Sequence, residues 1–346
     1  MGTLKIAVVG FGLVGKKHAG IVQSNKDLNL CGIVENNEQL LSKINLKCEN
    51  FKSIGELLKT EEVDGAIIAT PTPLHVAHAK NFVENKIPVL IEKPISNSSK
   101  ESLSLLDLAN KNSTKILVGH HRRHNNIIKS AKKAIDNGTI GKIRSASTLC
   151  WFYKPDDYFN NSPWRKKIGA GPISINLIHD IDLLRYFCGE VKNVQAMTTP
   201  SVRGYENEDL ASVILQFDTG VIATMSVSDS IVSPWSWEMN SKENSDFPHV
   251  QQNCYLIGGS EGSLSIPDLK VWSHDHAPDW TNSFSTKILN YDLNDPLVDQ
   301  IKHFSDVIRN KTEPLVSGEE GLKSLQVIEA IEKSKKDKKN VTIKYL

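Results

Sequence analysis

LKIAVVGFGLVG, residues 4–15, decides the fold. Its first half is a short apolar run closing on Gly10, the pattern of a strand buried on both faces of a parallel sheet. Its second half sets Gly10, Gly12 and Gly15 as GxGxxG where that strand gives way to a helix. Glycines suit that junction because the turn is tight, the backbone must approach a pyrophosphate, and the helix must pack near the sheet. The helix N-terminus then offers free N–H groups and partial positive charge to the phosphates. Phe11, Leu13 and Val14 complete this loop as cofactor-binding residues.

Outward from the loop, apolar and small residues recur at helical spacing from Leu13 to about Ser24, and LNLCGIVE (28–35) reads as a second buried strand. Glu35 closes that strand 20 residues after Gly15, where a carboxylate accepts hydrogen bonds from adenosine ribose hydroxyls. It would repel a 2′-phosphate, and Asn36 and Asn37 bring no cation to neutralise one, so NAD is expected rather than NADP. The alternation continues: SIGELLKT to VDGAIIAT, LHVAHAKNFVENK to IPVLIEK, KESLSLLDLANKN to KILVGHH. Five strands thus alternate with helices through about residue 121, the rhythm of a doubly wound parallel sheet.

After residue 122 the rhythm changes. One helical stretch (NIIKSAKKAIDNG) precedes IRSASTLCWFY, VKNVQAMTT, LASVILQFD and GVIATMSVSD, several of which alternate apolar with polar residues. That suits an antiparallel sheet covered on one face. The expectation is an α/β Rossmann domain over residues 1–122 and an α+β domain over 123–346 with a large, open, mostly antiparallel sheet, for substrate binding and oligomerisation. Asp229 to Asn253 is a long polar segment carrying Trp235, Trp237 and Glu238, expected to be functional or mobile. PLVDQIKHFSDVIRN and GEEGLKSLQVIEAIEKSKK read as two amphipathic helices, and the lysines from Lys333 to Lys339 as a solvated helix end.

Composition narrows the partners. A chain of 346 residues exceeds one hydrophobic core. Its 41 basic and 40 acidic residues leave no broad field for nucleic acid or an anionic membrane, which favours a small-molecule partner. Cys31, Cys48, Cys150, Cys188 and Cys254 are scattered without a CxxC pair, which argues for reduced thiols rather than disulfides or zinc. LKIAVVG begins too early for a signal segment, and no apolar stretch reaches the roughly 18 residues of a membrane span. A cytoplasmic location follows as an expectation.

Two side chains stand out for chemistry. Lys93 follows IPVLI and Glu92 at the carboxyl end of a parallel strand, where ligands of open α/β sheets sit, and Pro94 fixes the backbone beside it. His179 lies in GAGPISINLIHDIDLLRYF, among apolar residues at helical spacing, and an imidazole there can serve as general base. Asp182 is three residues on, on the same face, suited to orient it. Arg122, Tyr153, Asn176, Trp235, Trp237 and Glu238 can supply hydroxyl-directed hydrogen bonds and an aromatic platform for a polyol.

Taken together, GFGLVG with Glu35, ATPTPLH, LIEKP, VGHHRR and PWRKKIGAGP running into INLIHDIDLLRYFCG resemble the Gfo/Idh/MocA oxidoreductase family, in that family's order and over nearly the whole chain. The resemblance implies that Lys93 bridges substrate hydroxyl and nicotinamide and that His179 is catalytic. It implies further that Thr70, Pro71, His75, Glu92 and Lys93 line the dinucleotide, that Trp164 and Arg165 lie near nicotinamide and substrate, and that the protein forms a homo-dimer or homo-tetramer. One departure is evident: many sugar dehydrogenases of the family carry an aspartate four residues before the histidine, where this chain has Ile175 followed by Asn176. The implied activity is hydride transfer between a sugar-, sugar acid- or cyclitol-like alcohol and NAD. A non-catalytic NAD sensor, an NAD-recycling epimerase or lyase, and a metal hydrolase using His120, His121, His124 and His179 are the alternatives. No HExxH supports the last.

Overall fold

Residues 4–118 build a six-stranded parallel sheet in the order β3-β2-β1-β4-β5-β6. Its strands are β1 (Leu4–Val9), β2 (Leu28–Val34), β3 (Glu49–Phe51), β4 (Gly65–Ile68), β5 (Val89–Ile91) and β6 (Ile116–Val118). These coordinates are a computed structural model that describes residues 2–346. Ile6, Val8, Ile67, Leu90 and Leu117 are essentially sealed from water, as expected of strands sandwiched between helices. The order reverses between β1 and β4, which fixes the switch point where such sheets bind ligands at their carboxyl edge. β3 is the strand not foreseen; at three residues with two exposed, it has no apolar run to betray it and forms by pairing with the free edge of β2.

The nine strands of the second sheet are β7 (Ile143–Trp151), β8 (Val191–Pro200), β9 (Glu208–Phe217), β10 (Ile222–Ser228), β11 (Tyr255–Gly259), β12 (Ser263–Ile266), β13 (Lys270–His274), β14 (Phe284–Ile288) and β15 (Val341–Thr342). They run in the order β14-β13-β12-β11-β7-β10-β9-β8-β15, antiparallel except for the pair β7 and β10. Buried residues alternate along β9, and they pack with Ile127 and Ile128 of helix Asn126–Asp136, Ile181 and Leu184 of helix Ile178–Cys188, and Val327 and Ile331 of helix Gly318–Asp337. The opposite face carries exposed Met197, Ile214, Leu256, Phe284 and Ile288.

The division of the chain differs from a single cut near residue 122. One unit comprises 1–124 with 295–325 and the last residue; the other comprises 125–294 with 326–345. Residues 295–325, placed in the second domain on sequence alone, return to the first: a Cβ at Gly65 would lie 2.4 Å from Ile308 Cδ1 of helix Pro296–Ile308. The segment 229–253 also differs from a mobile excursion. Ser236 caps a short helix, Trp237–Asn240, Trp237 is buried in the core, and the Asn240 amide donates to the carbonyls of Pro234 and Val250. Among the described residues no helix is long and apolar enough to cross a membrane.

Candidate functional site

The glycine loop shows what each glycine does. Gly10 has a φ of +93°, and a Cβ there would come within 2.8 Å of the Ala69 carbonyl oxygen, so the turn after β1 lies against the one after β4. A Cβ at Gly15 would lie 2.0 Å from the Gly10 carbonyl oxygen, so only glycine lets the helix Leu13–Ser24 start this close. A Cβ at Gly12 would meet nothing within 4 Å. Gly12 caps the helix with no side-chain hydrogen bond, and no acidic residue occupies its first turn. Its N–H groups are therefore available to an anion, and the open space at Gly12 fits a dinucleotide pyrophosphate.

Glu35 locks this loop from below. Its carboxylate accepts from Phe11 N at 2.8 Å and Asn37 N at 2.9 Å, while the Asn37 side chain caps the helix Glu38–Leu41. Each carboxylate oxygen keeps a lone pair for a ribose hydroxyl, and among the described residues no guanidinium or ammonium is bonded to either oxygen.

The ends of β4 and β5 are tied together by His75, which is 1% exposed and contacts Thr70 O at 2.7 Å and Pro94 O at 2.9 Å. Burial holds its pKa below the ordinary value, against the two carbonyls that favour the charged form. His75 is thus a brace between loops, with Thr70 Oγ1 turned to His78 Nδ1 at 3.2 Å. Glu92 is a second brace: it meets His18 Nε2 at 2.8 Å and accepts from Lys93 N at 3.3 Å. Burial pushes its carboxyl up, but the His18 hydrogen bond and the charges of His18, His121 and Lys93 outweigh that and leave it at about 2. Lys93 stands at the end of β5, followed by a cis peptide to Pro94. Arg122 is buried in the turn His121–His124 beyond β6. The first unit therefore gathers Gly10–Gly15, Glu35, Thr70, Pro71, Glu92, Lys93 and Arg122 at the carboxyl ends of β1, β2, β4, β5 and β6.

The second unit presents its residues from a continuous helical segment, π-helical over Ile173–Leu177 and α-helical over Ile178–Cys188. Asn176 and His179 are both buried, as are Asp180 and Asp182; Asp180 accepts from the Tyr255 hydroxyl. A π turn inside a helix recurs at functional sites. Lys154, absent from any motif in the sequence, donates from Nζ to Asn176 Oδ1 at 2.7 Å and lies 3.9 Å from Asp229. Twenty-two residues separate lysine and asparagine, so spacing carried no signal of the pair. Arg165 donates to Tyr158 O at 2.7 Å, with its guanidinium 3.8 Å from the Tyr158 ring, while the neighbouring Trp164 is exposed. Tyr153 is half-exposed with Arg203 over its ring. Trp235 packs edge-on against Trp151, and its Nε1 donates to Gln252 at 3.3 Å. Among the described residues no three histidine, cysteine, aspartate or glutamate side chains are grouped to hold a metal ion.

Residues 4–120 match the oxidoreductase family with an NAD-binding Rossmann fold, and residues 128–265 match the GFO/IDH/MocA C-terminal domain. The inositol 2-dehydrogenase of Rhizobium meliloti (strain 1021) is 23% identical over 99% of this chain and 99% of its own. The scyllo-inositol 2-dehydrogenase (NAD(+)) of Bacillus subtilis (strain 168) is 26% identical, covering 94% of this chain and 92% of its own. The WlbA dehydrogenase from Bordetella pertussis, solved with NADH and UDP-GlcNAcA, superposes with a TM-score of 0.81 over 99% of this chain and 98% of that one, at 20% identity. With both halves matched in order, the chain belongs to the GFO/IDH/MocA oxidoreductases, and its first unit is their NAD-binding Rossmann domain.

Proposed function

We propose that the protein is an NAD-dependent dehydrogenase of a secondary alcohol on a sugar-, sugar acid- or cyclitol-like substrate. The observation that carries this reading is Lys93: an ammonium at the carboxyl end of β5, its backbone held by the Glu92 carboxylate, in the sheet that carries the uncapped glycine loop. Dehydrogenation of inositols by relatives that match 94–99% of the chain supports the substrate class.

Bound NAD supplies the hydride acceptor. His179 takes the hydroxyl proton of the substrate, and Lys93 stabilises the oxyanion as charge develops, each worth about 10²-fold or more. Gly10–Gly15 hold the pyrophosphate, Glu35 the ribose, and the Glu35 charge selects NAD over NADP. Exposed Met197, Leu256, Phe284 and Ile288 on the open face of the second sheet support self-association through that face.

The test follows reduced-nicotinamide absorbance with inositols, sugars and sugar acids, using NAD and NADP in parallel. Lys93→Ala and His179→Ala are each expected to lower kcat by about 10²-fold or more while the Kd for NADH stays within about threefold. Full turnover in either variant refutes the assigned roles, and a monomer mass by light scattering refutes the self-association.

A further inference from the structure

The Lys154–Asn176 hydrogen bond fixes which polarity the helical segment before His179 can offer a ligand. An ammonium only donates, so the Asn176 atom 2.7 Å from Nζ is the carbonyl oxygen. The amide is thereby oriented, with its oxygen toward Lys154 and its two N–H donors directed elsewhere. Asn176 is 8% exposed, and among the described residues those two donors meet no acceptor.

Lys154 adds to the surplus. It is 5% exposed, and among the described residues its remaining ammonium protons find no acceptor at hydrogen-bond distance: Asp229 is 3.9 Å away and is drawn instead to Arg203 at 3.0 Å. Arg165 shares the Tyr158 ring with Lys154, the two cations lying 3.8 and 5.0 Å from its centre, and Arg165 Nε is buried without a partner. Burial also holds the Lys154 pKa below the ordinary lysine value, with Arg165 adding to that and the charges of Asp229 and Glu238 opposing it.

Spare donors on largely buried side chains are satisfied by a group that brings acceptors alone. A hydroxyl brings its own O–H, which then needs an acceptor; a carboxylate brings two oxygens, about four lone-pair sites and no donor. Its bonds to an ammonium are charge-assisted as well. We propose that the substrate is a sugar acid whose carboxylate is bound by the Asn176 amide N–H groups and the Lys154 ammonium. Asn176 precedes His179 by three residues, about 5 Å of helix axis, a span that one sugar ring covers from its carboxylate to a carbinol carbon. This inference rests on the dehydrogenase reading and narrows its substrate class.

The test compares D-gluconate with D-glucitol and D-glucuronate with D-glucose, for the wild-type protein, Asn176→Asp and Lys154→Met. Two readouts are taken: NADH formation, and calorimetric titration of each compound into NADH-loaded protein, which needs no turnover. Wild type should bind the acid of a pair at least tenfold more tightly than its neutral partner. Asn176→Asp, which offers acceptors and a negative charge in place of donors, should weaken acid binding at least a hundredfold. Lys154→Met should weaken it at least tenfold and change the neutral partner less than threefold, with an unchanged thermal melting transition reporting an intact fold in both variants. Acid binding without NADH formation supports the carboxylate site and overturns the dehydrogenase reading. Failure of both acids to bind, equal affinity for neutral partners, or an undiminished acid preference in Asn176→Asp overturns the carboxylate site.

Discussion

At the scale of single residues, the three loop glycines separate folding from binding. Gly12 has a φ of −70° and open space where a Cβ would stand, so alanine is tolerated by the backbone and displaces only a bound phosphate. Gly12→Ala is expected to leave the melting temperature within about 2 °C of wild type, as for other unstrained exposed changes, and to weaken NADH binding about tenfold or more. Gly15→Ala places its methyl on the Gly10 carbonyl and should cost about 1–3 kcal/mol or more. Melting curves and NADH titrations of the two variants check this; equal loss of stability in both contradicts it. The roles of these glycines were readable from GFGLVG because local sterics dictate them. Lys154 was not readable, since its meaning depends on a partner brought near by folding, and neither was the distinction between Thr70, at the loop surface, and His75, buried behind it.

At the scale of elements, the helix Leu13–Ser24 and the end of β5 are joined through His18 and Glu92. The Glu92 carboxyl sits at about 2 in the folded chain against an ordinary 4.5. A depressed carboxyl stabilises the fold above its unfolded value, so this contribution is fully present above about pH 4.5 and disappears as pH falls toward 2. It is on the order of 3 kcal/mol. Glu92→Gln should therefore lower the thermal midpoint at pH 7 and flatten its decline between pH 5 and 3; an unchanged pH slope contradicts the pairing. The same elements show where patterning succeeds and fails. Buried parallel strands such as IAVV and GAII announce themselves, whereas β3 and the partly exposed β14 exist by virtue of their neighbours. The polar composition of residues 229–253 concealed a packed loop, because the Asn240 amide closes it by bonding carbonyls at both ends.

At the scale of the molecule, the first unit is incomplete without residues 295–325, whose Ile301, Phe304, Val316, Leu322 and Leu325 belong to its core. A fragment of residues 1–124 is expected to lack a cooperative melting transition and to bind NADH at least tenfold more weakly than the full chain. Circular dichroism melting and a titration decide it, and a sharp transition with full affinity contradicts it. Sequence rhythm could not show this excursion, since an amphipathic helix reveals that it has a buried face but not which sheet covers it.

That excursion also sets an order of events on the ribosome. The dinucleotide-binding half emerges first, yet its last packing helix is made some two hundred residues later, on the order of ten seconds or more at ordinary elongation rates. Throughout that interval the sheet surface around Gly65 waits uncovered, exposed to chaperones and to other nascent chains.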